Sequence, residues 1–109
     1  MTDRELLEAA AKAAGIDWIK NCVWIENGFY SPLAKHERIA WNPLTDSGDA
    51  FELAVKLRLT INCSYDDVAM CGQEFTQKDV FIERNGEDPL AATRRAIVRA
   101  AAAIGKEMK

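Results

Sequence analysis

Arg94 is the charge in this 109-residue chain whose spacing most demands a partner. On a helical period it falls within the arc of Leu90, Ile97, Val98, Ala101 and Ile104. A guanidinium carried into an apolar arc needs a carboxylate or carbonyl oxygens around it, because an unpaired buried charge costs several kcal/mol. Asp46 and Asp49 offer the matching chemistry, and an ion pair from Arg94 to either would tie the last helix to the start of the middle one. The functional alternative is a pocket built from Trp41, Asn42, Asp46, Asp49 and Arg94. The two aspartates disfavour an anion there and favour a ligand with amine or hydroxyl groups, making the chain a small-ligand or nucleotide binder that could act as a signal sponge. A second set, Arg95, Arg99 and Lys106, is expected on the opposite, solvated face of the last helix, as a basic strip for an acidic partner or nucleic acid.

Groups that would support catalysis do not assemble. His36 is the sole histidine, in a charged stretch with no nucleophile motif nearby, and Asp66-Asp67 reads first as a turn. No enzyme activity is expected. Cys22, Cys63 and Cys71 are odd in number and lack Cys-x-x-Cys spacing. With His36 they could formally make a Cys3His zinc site, but no metal and no cofactor is expected. Cys22 and Cys63 lie in or beside β-like runs, which suits small buried apolar residues.

Charge narrows the partners. The formal net charge is −3 and the isoelectric point is near 5.1, which disfavours nucleic acid as a partner. That sum hides an asymmetry: residues 84–109 carry six basic and three acidic side chains, leaving eight basic against fourteen acidic in the rest. The start carries Asp3, Glu5 and Glu8 where a secretory signal needs basic and then apolar residues. No apolar run approaches the ~18 residues of a membrane span. A cytoplasmic protein without membrane contact is expected.

A chain of this size folding as one domain over residues 1–109 would keep roughly 6,000 Å² of about 17,500 Å² exposed. Of the 49% hydrophobic residues many are alanine, 17 in all, so the expected core is modest and its helices closely packed.

The elements that must hold these groups can be read in order. Residues 3–14 form an amphipathic helix with Leu6, Leu7, Ala10, Ala13 and Ala14 on one face. It is opened by a Thr2/Glu5 capping box and stopped by Gly15. Residues 18–30 read as a hairpin turning at Asn27-Gly28, and a further strand runs through 38–41. Asp46, with Asp49 three residues on, starts a second helix reaching about Arg58. Its Ala50, Phe51, Leu53, Ala54, Val55 and Leu57 cover so wide an arc that most sides should be covered, if need be by a second subunit. In residues 59–65 strict alternation puts Leu59, Ile61, Cys63 and Tyr65 toward the core. Return strands follow at 68–71 and 80–82, then an Asn85-Gly86 turn. Asp88 as N-cap and Pro89 open a last helix to about Ile104, stopped at Gly105. The fold class is α+β, with a mostly antiparallel sheet of about four strands in the order α-ββ-α-ββ-α.

The strings WNPLTDSGDAFELAVKLRL at 41–59 and EDPLAATRRAIVRAAAAIGK at 87–106, with TDRELLEAAAKAAGI at 2–16, resemble the phage ABA sandwich domain family. The resemblance implies a three-layer α/β/α sandwich and a bacteriophage or prophage origin, and it brings no catalytic residues. The expected role is an accessory protein that binds a host protein, for instance in anti-defence or host takeover. A large aromatic at a strand-to-loop junction, Trp41, and three tryptophans in all are in keeping with an interface. Self-association through the second helix, giving a homodimer, is the structural alternative.

Overall fold

A computed structural model of the chain describes residues 2–16, 23–25, 28–30, 40–72 and 80–108. The fold is α+β, in the order α1 (Asp3–Ala13), β1 (Val23–Ile25), β2 (Gly28–Tyr30), β3 (Ala40–Trp41), α2 (Ser47–Leu57), β4 (Thr60–Asn62), β5 (Val68–Gly72), β6 (Phe81–Arg84), α3 (Pro89–Glu107). Among the described residues three strands therefore precede and three follow α2, where pairs of strands are expected. They form two antiparallel meanders, β1-β2-β3 and β4-β5-β6.

Each helix begins where its local chemistry dictates. Thr2 and Glu5 form the reciprocal capping box of α1. Gly15, at φ +70°, ends it through the left-handed turn that lets Ile16 N–H reach the Ala11 carbonyl. Asp46 caps α2 by accepting from Asp49 N–H, and Asp88 caps α3 by accepting from Ala91 N–H ahead of Pro89. In α1 the buried set is Leu6, Leu7, Ala10, Ala11 and Ala14, with Ala13 only partly covered. The buried face is thus rotated slightly from the expected one.

α3 is the hub, packing on α1, α2, β5 and β6. One apolar cluster runs through it, joining Leu6, Leu7 and Ala10 of α1, Leu53 of α2, Trp41, Cys71, and Ile97, Val98 and Ala101 of α3. Gly105 does not stop α3; it lies buried inside the helix, which continues to Glu107. A Cβ at Gly105 would stand 1.9 Å from the Ala9 carbonyl oxygen, so glycine there lets two backbones touch.

Several expectations on the strands are corrected. Gly28 is not in the hairpin turn but pairs with Ile25 as the first residue of β2; residues 26 and 27 lie outside the described residues, as do 18–22 and 38–39 of the expected strands. Ile61, Cys63 and Tyr65 are exposed and not in the core, while Leu59 packs partly against it. The reason is position: β4 is the edge strand and ends at Asn62, and α3 lies across β5 and β6. Ile61 shares the covered face with its partner Cys71 but sits beyond the cover, and Cys63 and Tyr65 belong to the loop.

α2 is not covered on most sides. Ala50, Leu53 and Ala54 are buried, but Phe51 is 64% and Val55 61% exposed. No helix among the described residues is long and apolar enough to cross a membrane.

Candidate functional site

Asn42, Asp46, Asp49 and Arg94 are brought to the entry of α2, where each is hydrogen-bonded to backbone or to a neighbouring side chain, and Trp41 adjoins them in sequence. The Asn42 side chain accepts from Leu44 N–H at 3.0 Å, folding the chain into a tight turn around the fully buried Pro43. The Asn42 carbonyl accepts from Asp46 N–H at 2.9 Å. Asp46 Oδ1 then accepts from Asp49 N–H at 2.9 Å. Asp49 turns its own carboxylate back to Asn42 N–H, Oδ2 accepting at 2.9 Å, where a capping box would have sent it to the N-cap. Burial pushes the Asp49 carboxyl above the ordinary range, opposed by the hydrogen bond from the Asn42 backbone and reinforced by the nearby Asp46 and Glu52. Trp41 is 7% exposed and belongs to the core.

Arg94 joins α3 to the start of α2, but without a carboxylate. Its Nε donates to the Leu44 carbonyl at 2.9 Å and its Nη1 to Ser47 Oγ at 3.0 Å. The expected pairing with Asp46 or Asp49 is corrected: both aspartates are turned toward the backbone of the α2 entry, so the guanidinium meets a carbonyl and a hydroxyl. Asn42, Asp46 and Asp49 therefore form a knot at the entry of α2, and Arg94 is joined to it through Leu44 and Ser47.

Arg95, Arg99 and Lys106 are also brought together, though not on a freely solvated face. Arg95 and Arg99 lie in the seam between α1, α3 and β6. Arg95 Nη1 is 3.2 Å from Asp3 Oδ1, and its Nε is 3.8 Å from Glu83 Oε1. Arg99 Nη1 is 2.7 Å from the same Glu83 oxygen and also donates to the Ile82 carbonyl. The Arg99 guanidinium stands over the Phe81 ring, 5.1 Å from its centroid. The helical pattern of α3 does not show this seam because the groups that engage Arg95 and Arg99, Glu83, Ile82 and Phe81, come from β6, and Asp3 from α1. Arg95, Arg99 and Lys106 border a cleft of about 500 Å³ with Glu83, Phe81 and Leu6.

The exposed apolar side chains form a third feature. Phe51 lies one helical turn beyond Ser47, and Leu90, 68% exposed, one turn before Arg94. The hydrogen bond from Arg94 to Ser47 joins the two helices that carry Phe51 and Leu90. Val55 continues the strip one turn along α2. The sequence carried a signal for it, the over-wide apolar arc of α2.

Of the thiols, Cys63 is exposed and Cys71 fully buried, and burial pushes Cys71 up to about 12. Cys22 and His36 lie outside the described residues. Among the described residues no three His, Cys, Asp or Glu side chains converge as a metal site. The chain matches no family model, no curated protein and no solved structure.

Proposed function

We propose that the chain is an accessory protein that works by binding a host protein in the cytoplasm of a bacterial host. The resemblance of residues 41–59 and 87–106 to the phage ABA sandwich family supports a phage or prophage origin and, with it, a three-layer sandwich. A role in anti-defence or host takeover follows from that origin. The observation that carries the binding role is the pair Phe51 and Val55, large apolar side chains one turn apart on α2 and each more than half exposed, with Leu90 of α3 exposed likewise. Apolar side chains grouped on a surface mark interaction sites, and an aromatic at the centre of such a group is the usual anchor.

The test is affinity capture from host cells with the tagged chain, paired with a Phe51→Asp/Val55→Asp variant. Recovery of a stoichiometric host protein by the parent chain and its loss with the variant, at unchanged melting temperature, supports the reading. Capture that survives the double substitution contradicts it. A concentration-dependent doubling of mass in light scattering, abolished by the same variant and with no host protein captured, would assign the strip to a second copy of the chain instead.

A further inference from the structure

The cleft between α1, α3 and β6 combines features that a merely solvated helix face lacks. Its volume of about 500 Å³ is that of a small-molecule site. Leu6, Phe81, Ala102 and Ala103 are its apolar lining, with the Arg99 guanidinium over the Phe81 ring, and Arg95, Arg99 and Lys106 are its cationic lining. Among the described residues Glu83 is the carboxylate lining the cleft, with Asp3 on α1 paired to Arg95 at its edge and Glu5 within the field of Lys106.

The donors are only partly spent. Arg99 uses Nη1 on Glu83 and Ile82, and Arg95 uses Nη1 and Nε on Asp3 and Glu83. A guanidinium has five N–H groups, so both retain donors for a guest. Lys106 is exposed and makes no ion pair with a described residue. Glu83 engages both arginines through Oε1, which leaves Oε2 as an acceptor. A bare anion would be repelled by that carboxylate. A guest with an anionic end, a flat apolar body and a hydroxyl or amine donor would satisfy the cationic lining, the apolar lining and Glu83 together.

We propose that this cleft binds a small organic anion of the nucleoside monophosphate class. Its phosphate would lie on Arg95 and Lys106, its ring on the Arg99 guanidinium that already covers Phe81 and against Ala102 and Ala103, and a ribose hydroxyl or exocyclic amine on Glu83. The site shares no residue with the Phe51 strip, so it stands or falls separately from the host-protein reading.

The experiment is a nitrogen-15 NMR titration of the full chain with AMP, with adenosine and inorganic phosphate as separate arms. Saturable shifts at Leu6, Phe81, Arg99 and Ala102 with AMP are expected, with weaker binding of adenosine and of phosphate. Lys106→Glu, on an exposed side chain, should weaken AMP by about tenfold or more while leaving the melting temperature in place. Arg99→Gln should weaken it further. The proposal is overturned if AMP gives no saturable shift at millimolar concentration, if the shifts map elsewhere, if phosphate alone binds as well as AMP, or if Lys106→Glu binds AMP like the parent chain.

Discussion

Gly105→Ala puts the packing of α1 on α3 to a quantitative test. In a solvated helix interior, replacing glycine by alanine stabilises by about 1 kcal/mol, because alanine loses less backbone freedom on folding. Here the added Cβ would sit 1.9 Å from the Ala9 oxygen and 2.7 Å from its carbonyl carbon. The obstacle is backbone, with no rotamer to swing away, so the helices must part by roughly 1 Å or more along a seam packed at interior density. That seam includes Leu6, Leu7, Ala10, Ala101 and Ala102, all buried. Overpacking of this kind costs about 1–3 kcal/mol and more when nothing can yield. With only backbone to oppose it, the overpacking is set above that range at about 4 kcal/mol; less the propensity gain of about 1, a net loss of about 3 kcal/mol is expected, a fall in Tm of roughly 12 °C for a domain of this size. Thermal unfolding followed by circular dichroism reads it. Gly15→Ala is the control, since φ is +70° but nothing lies within 4 Å of its Cβ, and it should cost only about 1–2 kcal/mol. Ala9→Gly should not rescue Gly105→Ala, because the clash is with the carbonyl and not with the Ala9 side chain. A Tm that is unchanged or raised in Gly105→Ala would refute the close approach of the two backbones.

The knot at the α2 entry yields further expectations. Arg94→Ala should lower stability by about 1–3 kcal/mol by removing two charge-assisted hydrogen bonds that join α3 to α2, and Asp46→Ala by about 1 kcal/mol as a lost cap; urea unfolding measures both. Asp49 has a raised carboxyl, so the folded state holds its proton more tightly than the unfolded chain. Its ionisation weakens the fold above the raised value, and stability is regained as pH falls through that value toward the ordinary one of 3.8. Asp49→Asn, which keeps an acceptor for Asn42 N–H, should erase this gain in a pH series of unfolding midpoints, whereas Asp49→Ala should cost about 1–2 kcal/mol at neutral pH. In a Cys22→Ser background, a thiol reagent should label Cys63 in the native protein and Cys71 only on unfolding; equal native rates would contradict the burial of Cys71.

What was legible in the sequence is what is decided within a few residues. The capping box at Thr2/Glu5, the N-cap Asp46 and the Asp88-Pro89 start each depend on hydrogen bonds spanning three positions, and each helix begins where they place it. Long-range facts were not legible. Gly105 has the same local appearance as a helix stop, and only Ala9, from the other end of the chain, gives it its role. Alternation at 59–65 implies a buried face only if something covers it, and α3 lies over the neighbouring strands. Arg94 was correctly tied to the start of α2, yet its acceptors, a carbonyl and a hydroxyl, carry no compositional signal. Phe81 and Glu83 of β6 and Leu6 of α1 come to Arg95, Arg99 and Lys106 of α3, three separate elements in all, so the cleft has no motif to find.

The central claim, that the chain acts by binding a host protein through the α2 strip, is tested most directly by hydrogen exchange on the chain alone and in complex with the captured protein. Slowed exchange confined to Ser47–Leu57 and the first turns of α3 is the predicted result. Protection elsewhere, with α2 exchanging as it does in the free chain, would contradict it.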